Sequence, residues 1–315
     1  MALPVFDLSA SLKSPESAEE AGRRLFACCR DVGFFYVTGH EISEELIDRV
    51  FLNARSLFAL PESVKASVAV TPENFRGYTA MGAENLDPKN KSRGDTKEGF
   101  YIGRALKPDE PETPLEKRDG NKWPPLEGFE PTMTEYFGKA HAAVMKILRL
   151  LAIGLGQAPD FFEPFFAPSM EILRLLRYEP VVSDPGNGVI GCGAHSDYGA
   201  VTLLKTDEVD GLEVFVRSAD TGKFEWVAAP PIPGAFIVNI GDLMSRWTNG
   251  VLRSTVHRVV NRKGLERYSV PFFAEPGFHS KIECIPSMVP AGENPKFDPI
   301  IAGEYLLSRY AETYS

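Results

Sequence analysis

Two side chains able to hold a metal, His195 and Asp197, stand two positions apart in the segment GAHSDYG. The segment reads as a strand, and alternation along a strand sends both to one face while Ser196 leaves from the other. An imidazole and a carboxylate are thereby aimed at a common point. Sixty-two positions later His257 lies in a second strand-like segment, STVHRVV, and in a closed β structure it can complete a face of two histidines and one carboxylate. Such a face leaves three octahedral positions open, which suits iron(II) oxygen chemistry. By itself a His-x-Asp pair is more often a surface strand with a hydrogen-bonded histidine, so the pair needs support from elsewhere in the chain.

That support comes ten residues after His257, where Arg267 and Ser269 share one face of another predicted strand, ERYSVPFF. A guanidinium fork grips both oxygens of a carboxylate, and the serine hydroxyl adds a third hydrogen bond without adding charge. Taken alone, an Arg-x-Ser is an ordinary exposed pair; its place just downstream of the second histidine favours a carboxylate clamp. A Ser-His-Asp hydrolase explains the residues less well, because Ser196 points away from His195 and no G-x-S-x-G elbow occurs. The glycine-rich DPGNGVIGCG has no GK[ST] ending and does not lead from a strand into a helix, so it reads as turn chemistry, not a phosphate loop. His40, His141 and His279 lack a second ligand at suitable spacing.

The elements that must position these groups follow from periodicity. Residues 4–8 and 33–38 read as short strands around a helix whose apolar positions are Ala21, Leu25, Cys28 and Val32. Ser43 caps a second, acid-led helix that ends before Pro61. Residues 71–131 are rich in Gly, Pro, Asn and charge, as in ENLDPKNKSRGDTKEG and PDEPETPLEKRDGNKWPP. They predict long loops with short strands near RGYTAM and EGFYIG. From Thr132 to about Gly156 a helical period through Tyr136, Ala140, Val144, Ile147 and Leu151 predicts one long buried helix. Some eight strands follow, separated by turns such as DPGNG, ADTGK and PPIPG, which suggests a sandwich, jelly roll or barrel. Residues 1–131 are expected to form a helical and loop region packed on a core of residues 132–315, the two making one structural unit with a C-terminal helix.

The 315 residues, 43% hydrophobic and 24% charged, are enough for a sizeable core. With 34 basic against 43 acidic residues the net charge is −9, which argues against a nucleic-acid partner. No signal peptide is read at MALPVFDLSA, and Lys146 and Arg149 interrupt the longest apolar run, so no membrane span is expected. Four cysteines in neither a disulfide framework nor a C-x-x-C pattern point to reduced thiols and a cytoplasmic location.

With these motifs in view, the chain resembles the isopenicillin N synthase-like family of 2-oxoglutarate-dependent dioxygenases. The resemblance rests on H-S-D, S-T-V-H-R-V and R-x-S, and extends to GFFYVTGHEI, RLLRYEP and VNIGDLMSRWTNG, covering most of the chain. It implies a double-stranded β-helix, or jelly roll, mainly β with flanking helices. It also implies that His195, Asp197 and His257 bind Fe(II), that Arg267 and Ser269 bind the distal carboxylate of 2-oxoglutarate, and that Tyr178 is a further carboxylate contact. Many relatives have an asparagine where Leu176 stands here, so one polar contact to the co-substrate is expected to be absent.

The implied reaction consumes O2 and 2-oxoglutarate, releases succinate and CO2, and oxidises a small organic metabolite, most often by hydroxylation. Two other readings stay open. One is a 2-oxoglutarate-independent iron oxidase that takes electrons from its substrate or from ascorbate; the other is a catalytically silent small-molecule binding protein. The loops of residues 71–105 and the strand from Val214 to Arg217 are candidate walls of a substrate pocket. Within them Arg76 could pair with an acidic group, as a matching arginine does in some relatives, while Tyr78, Phe100 and Tyr101 are aromatic candidates that core packing explains equally well, and Phe215 is a further one. A monomer is expected, as is usual for such a family.

Overall fold

The computed structural model describes residues 3–86, 94–118, 120–218 and 221–313. Residues 87–93 and 119 of the expected loops, and Ala219 and Asp220 of the ADTGK turn, lie outside them. Twelve strands build two facing sheets: β1 (Val5–Asp7), β2 (Phe34–Thr38), β3 (Gly77–Thr79), β4 (Lys97–Gly103), β5 (Ile172–Tyr178), β6 (Cys192–His195), β7 (Val201–Thr206), β8 (Leu212–Arg217), β9 (Phe224–Ala228), β10 (Phe236–Ile240), β11 (His257–Val259) and β12 (Arg267–Ala274). The larger sheet has the order β1-β2-β10-β7-β12-β5-β4-β3 and the smaller β6-β11-β8-β9, which together make the jelly roll. Strands from both the first 131 residues and the rest of the chain share the larger sheet.

Alternation assigns the two faces of that sheet. On β5, Leu173 and Leu175 join a core with the helices, while Leu176 and Tyr178 face Val214 and Val259 of the smaller sheet. The register carries this pattern sideways: Tyr178 pairs with both Lys97 and Arg267, and Leu176 with both Gly99 and Ser269. The inner face of the jelly roll is thus where Arg267, Ser269 and Tyr178 gather. The outer face holds Phe100, Ile102, Val270 and Phe272 in the helix-facing core. Each such side chain, fully buried, contributes about 1.5–3 kcal/mol of transfer free energy.

The helix Pro15–Asp31 starts at a capping box between Ser14 and Ser17 and buries Ala18, Ala21, Leu25 and Cys29. Cys29, fully buried, takes the inward position expected of Cys28, which is only part-buried. Ser43 caps the helix Glu44–Phe58 by accepting the Leu46 N–H. The long helix spans Phe129–Gly154, starting three residues before the expected Thr132 because Pro131 falls in its first turn, where a missing N–H costs nothing. It crosses the first helix at Gly22 and Gly154, so close that a Cβ on Gly154 would lie 2.3 Å from the Gly22 carbonyl oxygen. The C-terminal helix is Ala302–Thr313.

Candidate active site

β11 runs antiparallel to β6 with His257 directly opposite His195, so the two rings meet at a centroid distance of 4.3 Å. β6 ends at His195; Asp197 lies just past it, not on the strand as the sequence suggested, yet its carboxylate still reaches the histidines. Asp197 Oδ1 is 3.7 Å from His195 Nε2 and 3.5 Å from His257 Nε2. Among the described residues these three are the one His/Cys/Asp/Glu group whose ligand atoms lie close enough to share a metal, all within 4.8 Å of one another.

The hydrogen bonds around the triad fix what it can do. His195 Nδ1 lies 2.7 Å from the Gly193 carbonyl oxygen and His257 Nδ1 3.1 Å from that of Thr255. A carbonyl only accepts, so each Nδ1 carries the proton and each Nε2 turns its lone pair to the common point. Thr202 Oγ1 (2.5 Å) and Asn239 Nδ2 (2.7 Å) both donate to Asp197 Oδ2, which leaves Oδ1 for a metal. Burial pushes the Asp197 carboxyl up, but the neighbouring imidazoles and the Thr202 hydroxyl outweigh it and hold the group below the usual carboxylate range. Two imidazole nitrogens and one carboxylate oxygen, pre-aimed and braced from behind, fit iron(II).

Beside the triad, Arg267, Ser269 and Tyr178 come together as expected. The Arg267 guanidinium lies 4.8 Å over the Tyr178 ring, and the Ser269 hydroxyl is 3.4 Å from the Tyr178 hydroxyl. Arg267 is 1% exposed; its Nε donates to the Val209 carbonyl at 3.2 Å, but Nη1 is buried with no partner. A fully buried guanidinium N–H without an acceptor is costly. A dicarboxylate seated here would supply that acceptor. Leu176 lies on the same inner face beside Ser269, where an asparagine would have offered a polar contact.

The far side of the triad opens into a cleft. Its metal end is lined by His195, Ser196, Asp197, Arg174 and Leu86. Beyond it is an apolar cavity of about 260 Å³ walled by Val70, Phe75, Leu115 and Met170, with Arg76 among its lining residues. Tyr101, Ile172, Glu275 and Tyr310 form a wall common to both. The Arg76 guanidinium lies flat on β4 over Gly103, where a Cβ would come within 2.0 Å of its Nε. Burial lowers the Arg76 value and pushes the Glu275 carboxyl up to about 8, with Arg76 opposing the second shift.

Of the substrate candidates Arg76 and Tyr101 reach this cleft, whereas Tyr78, Phe100 and Phe215 do not. Tyr78 and Phe100 pair across β3 and β4 on the outer face, one strand step away from Tyr101 and Thr79, which do line the cavity. Tyr78 gives its hydroxyl to Glu98 and Phe100 packs on Phe129. Phe215 points outward from β8, since its neighbour Val214 pairs with His257 on the inside; it stacks on Phe224 and contacts Trp226. Alternation around a neighbouring residue would have corrected all three. Sequence reasoning also missed Thr202, Asn239 and Glu275. Asn239 did leave a signal, a lone amide inside the apolar run FIVNI.

Comparison with known proteins gives the same picture. Residues 170–276 match the model of the 2OG-Fe(II) oxygenase superfamily and residues 3–126 that of the "non-haem dioxygenase in morphine synthesis N-terminal" region. A 2-oxoglutarate-Fe(II) type oxidoreductase of Emericella nidulans is 35% identical over 91% of this chain and 82% of its own length. A homoarginine-6-hydroxylase of Glycine max is 35% identical over 98% and 96%. Among solved structures, a full-length Neurospora crassa protein in complex with alpha-KG superposes with a TM-score of 0.86 at 33% identity, covering 98% of this chain and 96% of that one.

Proposed function

Since the chain belongs to the 2OG-Fe(II) oxygenase superfamily, and is a 2-oxoglutarate-dependent Fe(II) dioxygenase, we propose that His195, Asp197 and His257 hold its iron and that Arg267, Ser269 and Tyr178 hold 2-oxoglutarate. When bound, the metal supplies the oxygen chemistry of the superfamily, in which 2-oxoglutarate leaves as succinate and CO2. The protein supplies placement. The Thr202 and Asn239 donors keep Asp197 turned to the histidines, and the backbone carbonyls of Gly193 and Thr255 keep both imidazoles in the ligating tautomer. The Arg267 fork takes the distal carboxylate in the buried space against Tyr178, which points the other end of the molecule along the inner face toward the triad. Leu176 leaves that channel apolar on one side.

The substrate is a small organic molecule, and hydroxylation is the outcome we propose, in keeping with the name of the Glycine max relative. Arg76, buried in the cavity wall, is positioned to pair with an acidic group on it. No helix of the described residues is long and apolar enough to cross a membrane. Four cysteines without a disulfide support a reducing, cytoplasmic compartment, and a monomer, the usual state for such a family, is the assembly we propose.

The unpartnered Arg267 Nη1 carries this reading of the co-substrate site. Anaerobic titration of the iron(II)-loaded protein with 2-oxoglutarate tests it: a visible charge-transfer band that saturates is expected. Iron binding with no band would dismiss the co-substrate assignment, and no iron binding would dismiss the triad.

A further inference from the structure

Two buried ionisable groups line the cleft: Arg76, already assigned an anion contact, and Glu275, which none of the chemistry above uses. Arg76 is 6% and Glu275 4% exposed and both line the apolar cavity; among the described residues each feels the other's charge, and Arg76 also that of Glu116, but no side-chain hydrogen bond or salt bridge ties either of them down. Native proteins seldom keep such groups unless something completes them. Their places differ. Glu275 also lines the metal end of the cleft with His195, Ser196 and Asp197, whereas Arg76 lines only the cavity beyond. The cavity they share is mostly apolar, with Phe75, Met170 and Ile172 among its walls.

Building on the anion contact assigned to Arg76, we propose that Glu275 is a specificity-determining residue that receives an N–H donor of the substrate close to the metal triad. The substrate class is then a short aminocarboxylic or amidocarboxylic acid, with its anionic end on Arg76, a few carbons against the apolar walls, and a nitrogen at Glu275. The carbon beside that nitrogen faces His195 and Asp197. An all-carbon acid of the same length would leave the Glu275 carboxyl buried against methylenes, and an amine without the acid would leave Arg76 uncompensated.

The test is calorimetric titration of the anaerobic protein, loaded with iron(II) and 2-oxoglutarate, against ω-amino acids of increasing length and N-acetylated counterparts. Each is paired with the carboxylic acid that carries carbon in place of nitrogen. The tightest ligand is expected to contain nitrogen and to bind about tenfold or more tighter than its all-carbon partner, as one hydrogen bond to a charged group implies. Glu275→Leu should erase that preference by weakening the nitrogen-containing ligand and tightening the all-carbon acid, and Glu275→Gln, which keeps the volume, should erase it for amines. Equal or tighter binding of the all-carbon acids, no binding by any nitrogen-containing member, or a preference that survives both substitutions would overturn the proposal. The 2-oxoglutarate band, read on the same samples, keeps this outcome separate: its absence would count against the co-substrate site and not against Glu275.

Discussion

In and around the triad His195, His257, Arg267, Ser269, Tyr178, Thr202 and Asn239 all come from strands of the two facing sheets, and Asp197 follows one closely. At the substrate end Arg76 precedes β3, Leu115 lies in a turn, Glu275 follows β12, and Tyr310 comes from the C-terminal helix. The difference shows in the hydrogen bonding. Asp197 and both imidazoles are held by donors and carbonyls behind them, whereas Arg76 and Glu275 feel each other's charge but no side-chain hydrogen bond to a described residue holds either. Strands fix an angle and a spacing for every side chain, which iron and an invariant co-substrate require. Loops and chain ends supply the part that can differ between substrates.

The largest effect is expected at the strand-built end. Arg267→Ala removes a two-pronged, charge-assisted contact, so the 2-oxoglutarate concentration for half-saturation should rise about a hundredfold or more, read from the anaerobic titration. Iron affinity should hold, because Arg267 touches none of the triad. A change in iron binding of the same size would mean that the clamp and the metal face are one coupled unit.

Asn239→Leu comes next. It removes one of two donors to Asp197 Oδ2 and leaves Thr202 in place, so iron affinity should fall by about ten- to a hundredfold with little change in the co-substrate's half-saturation. Equal iron affinity in parent and variant would show that Thr202 alone orients the carboxylate.

How much of this could be read from the sequence follows the same division. His195, His257, Arg267 and Ser269 were legible because strand alternation converts short spacing into a shared face, and the helix starts at Ser14 and Ser43 because a cap leaves a local signature. Tyr78, Phe100 and Phe215 were misplaced although the same rule governs them. For Tyr78 and Phe100, knowing that a residue is on a strand does not say which of two buried faces is the site, because both faces of the larger sheet are apolar; Phe215 is on the smaller sheet, where its half-buried ring joins Phe224 and Trp226 on the outside. Glu275 and Tyr310 could not be placed at all, since their approach to Arg76 depends on how distant segments close over the cavity, which no local pattern encodes.

Gly103→Ala probes the loop-built end more gently. β4 accepts alanine at this position without a backbone penalty, but the new Cβ would fall on Arg76 Nε, Cζ and Nη2, the mobile end of a long side chain. Arg76 must swing aside. Thermal stability and the 2-oxoglutarate band should stay near parental values, while binding of an acidic ligand should weaken by about tenfold, as losing one charged hydrogen bond implies. Unchanged ligand binding would remove Arg76 from the substrate contacts.

The smallest effect is expected from His141, on the long helix behind the substrate wall. Its Nδ1 lies 2.8–2.9 Å from both oxygens of Glu171, which sits between the lining residues Met170 and Ile172 and also accepts from Ser169. The hydrogen bond to Glu171 raises the His141 value above its ordinary 6.5, against a smaller opposing effect of burial. A group whose value is raised by folding adds stability that is complete below its unfolded value and is lost as pH climbs through the folded one. His141→Gln should therefore melt below the parent chiefly at pH under 6.5, with the gap closing as pH rises, measured by thermal unfolding of the iron-free protein. Because the imidazole is partly exposed, water screens the pair and the gap should be small. A gap that widened with pH would mean that His141 braces the wall as a neutral ring, and that the substrate end owes its shape to packing rather than to charge.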